Sequence, residues 1–205
     1  MCWNAPVSFV TFLVGSFINL GSYFVLRRQR NAKIIIYWQY ALLMQPIEGV
    51  AWLQHNSGFD LQVISVFAFL FNVTQPIVLA LVIRFGMDAP VQRAIVANIM
   101  YVTLLISERV WQDLDISPLP GCEHLELQYW NVSSTASYVF ASLFSFLEIP
   151  DRVWAAVNMC IFLGSLLSAM LISSCGVGSL FCWLISISGI FLLLTERVRR
   201  FKTGY

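Results

Sequence analysis

Apolar residues fill long runs of this chain, and polar residues gather between the runs. A helix needs about 20 mostly apolar residues to cross a bilayer. Seven runs approach that length: Pro6 to Leu26, Ile34 to Gln54, Leu61 to Arg84, Arg93 to Val110, Val132 to Leu147, Arg152 to Ser173 and Gly178 to Thr195. The fourth and fifth are the most polar. Asp88-Ala89-Pro90 is the predicted N-terminal turn of the fourth, and Pro150 marks the end of the fifth. The first run begins at residue 6 without a basic leader or an Ala-x-Ala site, so it is predicted as a retained helix rather than a cleaved signal peptide. The pattern predicts an all-α fold, a single seven-transmembrane-helix bundle over residues 1–205. The chain between about 111 and 131 forms one long outer loop, with room for a lid or a surface helix.

Two runs carry the same tripeptide, Gln45-Pro46-Ile47 in the second and Gln75-Pro76-Ile77 in the third. A proline inside a helix removes one backbone hydrogen bond and strains that turn, so Pro46 and Pro76 are predicted to kink their helices. The carbonyls they release, of Leu42 and Asn72, must find partners inside the protein, because lipid offers none. Helical spacing puts Gln45, Glu48, Trp52 and His55 on one face of the second run, and Asn72, Gln75 and Leu79 on one face of the third. As an antiparallel hairpin, the two runs bring their Gln-Pro steps to similar depth. Glu48 is the one carboxyl group placed firmly within the hydrocarbon, where ionisable groups are costly and point to function.

This cluster has two readings. In the first, Gln45, Glu48, Asn72 and Gln75 bind a small solute or ion in a central polar cavity, as kinked helices do in transporters, with Glu48 able to carry a proton. In the second, the amides cap the proline turns and Glu48 bonds a neighbouring helix as packing glue. Asn98, Asn158, Ser165 and Ser168 are further cavity-lining candidates. Gly15-Ser16, Gly164-Ser165 and Ser188-Gly189 are predicted close-packing points.

Composition agrees with a membrane protein: 59% of the 205 residues are hydrophobic and 11% are charged, against about 25% charged in soluble domains. The net charge of +1 gives no footprint for nucleic acid. Cytoplasmic loops are enriched in Lys and Arg. With seven spans, Arg27, Arg28, Arg30, Lys33, Arg84, Arg93, Arg152, Arg197, Arg199, Arg200 and Lys202 share one side, eleven of the twelve basic residues. Only Arg109 falls opposite. The N-terminus is therefore predicted outside and the C-terminus cytoplasmic. Trp3, Trp52, Trp111 and Trp130 flank outer ends, and Trp38 and Trp154 flank inner ends. Asn131-Val132-Ser133 is a glycosylation sequon on the outer side, close to the fifth run; Asn72-Val73-Thr74 also matches but lies at mid-membrane depth.

Of the five cysteines, Cys2, Cys122 and Cys175 face outward in this topology. A Cys2–Cys122 disulfide would tie the N-terminus to the long loop, and a Cys122–Cys175 bridge would tie that loop to the last hairpin; the alternative is three small, partly buried thiols. His55, Cys122 and His124 are weak metal candidates, because zinc ligands usually sit closer together in sequence.

Several seven-span families do not fit. A retinal protein needs a lysine in its last helix, and Lys33 and Lys202 both lie at the inner edge, so covalent retinal is excluded. Membrane metal hydrolases of the alkaline-ceramidase kind need several His and an Asp, which two distant His do not supply. Pro-Gln-loop transporters carry Pro-Gln in separate repeats, whereas the order here is Gln-Pro, in adjacent spans. The chain more closely resembles a family of small multi-span membrane proteins of algae, protists and large DNA viruses. The resemblance lies in Met1-Cys2-Trp3, Met44-Gln45-Pro46-Ile47-Glu48-Gly49, Gln75-Pro76, and Cys122-Glu123-His124-Leu125 ahead of Trp130. That family has no assigned activity, so the resemblance implies a fold and a membrane location but no reaction. It points to Cys2, Glu48, Gln75, Pro76 and Cys122 as residues to test.

The expected function is binding and conduction of a small solute or ion, with the lipid bilayer as partner and no cofactor. A receptor holding an apolar ligand or pigment without a covalent bond is the alternative, as is a structural subunit of a homo-oligomer, a larger membrane assembly or a viral envelope. No nucleophile with a base is visible, so an enzyme is the least expected class.

Overall fold

The computed structural model describes residues 4–58, 60–108, 116–118, 125–127, 132–172 and 185–203. Helix α1 spans Ala5–Leu26; the Asn4 side chain accepts the Val7 amide at 2.9 Å, and Pro6 sits in the first turn, where its missing N–H leaves no bond unmade. A 3-10 turn over Arg30–Lys33 leads into α2 (Ile34–Leu42) and α3 (Met44–Asn56). Helix α4 (Gln62–Leu81) runs on into a π-helical turn over Val82–Gly86. Helices α5 (Gln92–Ser107), α6 (Val132–Phe146), α7 (Arg152–Ile172) and α8 (Ser188–Thr203) follow. Between α5 and α6, strands β1 (Ile116–Pro118) and β2 (Leu125–Leu127) pair antiparallel, with Ile116 opposite Leu127. The lid or surface helix expected of this loop is thus, in its described part, a short β-ribbon.

The fold is all-α apart from that ribbon. Among the described residues, two helical stretches, α1 and Gln62–Gly86, are long and apolar enough to cross a membrane; α5 and residues 152–168 of α7 are shorter apolar helices. The second predicted run is divided at Leu43. Pro46 cannot offer an N–H to the Leu42 carbonyl, so the chain tightens and the Leu43 amide bonds Tyr40 at 3.0 Å. Helix α4, by contrast, passes Pro76 without a break, and its irregular turn comes later, over Val82–Gly86. The seventh predicted run lies partly outside the described residues, and α8 continues past Thr195 to Thr203.

Contacts gather four segments at one end of the molecule. Arg30 Nη2 donates to the Asp88 carbonyl at 2.5 Å, and Arg84 pairs with the Asp88 carboxylate at 3.2 Å. These bonds hold Asp88 in the left-handed region, at φ 46°. Glu148, just after α6, accepts from the Arg93 amide at 3.1 Å, from Nε at 3.0 Å and from Nη2 at 3.2 Å. Asp151 caps α7 by accepting from the Val153 and Trp154 amides, and its other oxygen accepts from Arg199 of α8. Every Lys and Arg whose side chain is described lies on one of these four segments.

Asp151 gives this end a pH dependence. Burial alone would raise its carboxyl; the Arg199 hydrogen bond, the two amides and the Arg199 charge outweigh burial and hold it below its ordinary value. The folded chain thus binds this proton less readily than the unfolded chain. The stability from Asp151 is complete above the ordinary aspartate pKa of about 3.9 and disappears as pH falls through the lowered folded value. Thermal midpoints of wild type and Asp151→Asn are expected to differ at neutral pH and to converge as that value is passed.

Polarity on α1 is inverted relative to a helix of a protein in water. The buried residues of α1 are Ala5, Ser8, Thr11, Gly15, Asn19, Ser22 and Leu26, at helical spacing. Its large apolar side chains point away, with Phe17 82% and Val25 69% exposed. Among the described residues 33 large hydrophobic side chains are exposed in this way, while Asn19, Gln45, Glu48, Asn72, Gln75 and Asn158 are buried.

Candidate functional site

Antiparallel packing of α2 and α3 against α4 positions the polar residues. At the basic end the Lys33 side chain lies against Gly86. Further along, Tyr40 Oη and Thr74 Oγ1 are 2.6 Å apart, and the Tyr40 and Phe71 rings stack at 5.4 Å. Numbers rise on one strand of the hairpin as they fall on the other. The same register carries the first turn of α3 alongside the middle of α4.

On α3, Gln45 is fully buried and Glu48 is 3% exposed; Gln45 Nε2 donates to Glu48 Oε2 at 3.3 Å. Phe9 of α1 lies on Gly49, so close that a Cβ there would come within 2.8 Å of its ring. A side chain at this position would push α1 away from the turn that carries Glu48. The face continues through half-buried Trp52, whose ring meets that of His55 at 6.1 Å, and ends with His55 exposed. On α4, Asn72, Gln75 and Leu79 share the buried face, as their spacing predicts. Gln75 Nε2 donates to Asn72 Oδ1 at 3.2 Å, and its Oε1 accepts from Tyr138 Oη of α6 at 2.5 Å.

Tyr138 is the site residue that sequence reasoning missed. Its run carries Ser, Thr and aromatic residues all around the helix, and nothing in that pattern singles out one hydroxyl. Asn158, expected as a cavity-lining candidate, instead joins two tryptophans. Trp38 Nε1 donates to Asn158 Oδ1 at 2.7 Å, and Asn158 Nδ2 donates back to the Trp154 carbonyl at 2.7 Å. Trp38 is fully buried and Trp154 is 1% exposed. Both lie near helix ends, as expected, and both belong to the core. Asn98 donates to Ala94 of its own helix, and its Oδ1 has no partner among the described residues.

Of the other predicted residues, Cys2, Cys122, Cys175, His124, Arg109 and Asn131 lie outside the described residues, and with them the bridges, the sequon and most of the metal candidates. Among the described residues no group of three metal-ligating side chains occurs, and Cys160 is an exposed free thiol. Chemically, α3 offers a buried carboxyl group beside one amide, and α4 with α6 offers two amides and a phenol. A carboxyl group can exchange a proton or pair with a cation. Comparison with models of protein families, with curated proteins and with solved structures finds no match for this chain.

Proposed function

We propose that this chain is a seven-span integral membrane protein, N-terminus outside and C-terminus cytoplasmic, that binds and conducts a small cation or proton at Glu48. The observation that carries the membrane reading is the inverted polarity of α1, with Ser, Thr and Asn inside and Phe, Leu and Val outside. Water would reward the opposite arrangement, whereas lipid makes exposed apolar side chains harmless and drives polar groups to bond one another. The gathering of the basic side chains at one end supports the charge asymmetry expected of such a bundle.

The α1–α8 contact supports an odd number of crossings. A Cβ on Gly15 would meet Ser186, while Asn19 Oδ1 accepts from the Gly189 amide at 3.2 Å and Ser188 Oγ at 3.4 Å. Partner numbers rise together, so the first and last helices run parallel. Direction reverses at each crossing, so parallel first and last spans require an odd total, which seven spans satisfy.

Glu48 carries the functional reading, because a carboxyl group buried at mid-span is retained against a solvation penalty of several kcal/mol. Vesicles reconstituted with the protein are expected to dissipate an imposed proton or alkali-cation gradient, and the Glu48→Gln variant is expected to leak no faster than protein-free vesicles. Equal flux from the variant would remove Glu48 from the path. A structural subunit is the second reading. It is favoured by the bonds that the Gln45–Glu48 and Asn72–Gln75–Tyr138 groups make among themselves, and it predicts no flux from either protein.

A further inference from the structure

At the basic end, most cations have partners within the chain. Arg30 and Arg84 hold Asp88, Arg93 holds Glu148, Arg199 holds Asp151, Arg200 bonds Glu196, and Lys33 donates to Tyr23 Oη at 2.8 Å. Arg27, Arg28, Arg152 and Arg197 are different: each is exposed, and none bonds a side chain or carbonyl among the described residues. Of these, Arg27, Arg28 and Arg197 also lie together in the fold. The parallel register of α1 and α8 pairs residue 15 with 186 and 19 with 189. Continued for about two turns, it brings Arg27 and Arg28, just past the end of α1, level with Arg197 on α8.

The same two helices present an apolar strip beside these guanidinium groups. Phe24 and Val25 are 63% and 69% exposed on the last turn of α1. Leu194, Val198 and Phe201 follow at helical spacing on α8, 51%, 55% and 89% exposed. The strip continues past Arg197 to Phe201, so the end of α8 carries apolar surface beyond the level of the arginines. A bare Phe201 at that position is unfavourable in water and favourable in acyl chains just below a headgroup layer.

We propose that the α1–α8 seam at the basic end binds an anionic phospholipid, with Arg27, Arg28 and Arg197 on its headgroup phosphate and the apolar strip along its acyl chains. Three cations with no internal counter-charge complement a lipid of net negative charge, and guanidinium groups match phosphate oxygens in two-bond geometry. The proposal rests on the membrane reading above, and the test separates the two.

The full chain is inserted into phosphatidylcholine vesicles holding a minor fraction of phosphatidylglycerol. It is then cut out with its surrounding lipid in polymer-bounded discs, and the lipid is measured by mass spectrometry. Phosphatidylglycerol is expected to be enriched in the discs on the order of 10-fold over the bulk, from roughly a fewfold per arginine. The Arg27→Gln, Arg28→Gln, Arg197→Gln triple variant is expected to return it to the bulk ratio. Arg152→Gln, at an exposed arginine of the same end but on α7, is expected to keep the enrichment. Soluble glycerol phosphate is expected not to displace the lipid; displacement would mean a site for free phosphate. A bulk ratio with wild type overturns the proposal, as does equal loss in the Arg152→Gln variant. Should the triple variant fail to fold, loss of the wild-type enrichment at high salt serves in its place, and enrichment that ignores salt counts against the arginines. Wild-type protein washed off the vesicles at alkaline pH would instead refute the membrane reading itself.

Discussion

Trp38→Ala is expected to lower the free energy of unfolding by about 3 kcal/mol, read as a lower thermal midpoint in detergent by circular dichroism. Trp38 has no exposed surface. Its ring stacks on Phe146 at 5.8 Å and 22° and tilts against Tyr37 at 4.9 Å. Phe146 in turn meets Phe162 at 5.6 Å, and Phe162 meets Tyr138 at 6.0 Å. The aromatic core therefore runs from Trp38 to the hydroxyl that holds Gln75. In lipid the transfer of apolar surface counts for little, since acyl chains are as apolar as the core. What is lost is packing around a ring-sized cavity, together with the bond to Asn158. Trp38→Phe separates these: it keeps most of the stacking and loses the bond, at a cost of about 1 kcal/mol. If alanine and phenylalanine variants unfold at the same temperature, the hydrogen bond dominates and the packing argument fails.

Glycine substitutions are expected to split by position, although the chemical change is the same. At Gly15 an added Cβ would lie 2.7 Å from Leu42 Cδ2 and 2.9 Å from Ser186 Cβ. The serine atom is fixed to its backbone and Leu42 is fully buried, so α1 itself must move. Gly15→Val is expected to cost about 1–3 kcal/mol and to loosen the seam on which the first and last helices meet. Gly21, six residues on, has nothing within 4 Å of the same added atom among the described residues. Gly21→Ala is expected to be neutral or to stabilise the helix by up to about 1 kcal/mol, since alanine loses less backbone freedom. Thermal midpoints of the two variants measure the contrast directly. A Gly15→Val protein as stable as wild type would mean that α1 and α8 do not meet as described.

The same comparison limits what glycine-serine pairs say in a sequence. Gly15 and Gly189 are close contacts, as their motifs predicted; the Cβ of Gly189 would fall 2.8 Å from Ser22 Oγ. Gly164 carries the same motif, yet a Cβ there meets nothing within 4 Å among the described residues. Small residues permit close approach, but which helix approaches is a property of the assembled bundle. The prolines behave alike. Pro46 and Pro76 each delete one hydrogen bond, but the chain breaks at Leu43 near the first and stays helical through the second. A lost bond is a local fact, and the response to it depends on what packs around that turn.

Helix identity came from the one-dimensional pattern, and for two helices so did extent. α7 begins at Arg152 and ends at Ile172, one residue from its expected end, and α6 runs from Val132 to Phe146 against an expected Leu147. The end of α6 and the start of α7 are marked by local chemistry, Pro150 and the capping Asp151, which act on their own neighbours. The grouping of basic residues was legible too, because charge is excluded from long apolar runs and collects in the turns between them. So was the sharing of faces by Gln45 with Glu48 and by Asn72 with Gln75, since a helix fixes the angle between residues three apart.

Pairings between distant segments were not legible. Tyr138 reaching Gln75 spans 63 residues, and Trp38 reaching Asn158 spans 120. Neither bond leaves a mark in the local pattern, since any buried phenol, indole or amide needs a partner and the sequence does not say which. That Trp38 and Trp154 lie near helix ends was legible because depth along a helix was visible; that they face the core was not, because rotation about its axis was not. The sequence by itself determined the helices, their faces and the end that carries the charge, all of which follow from neighbours within a turn or two. Only the tertiary structure decided which faces meet, because that choice depends on shape and hydrogen-bond complementarity between segments far apart in the chain.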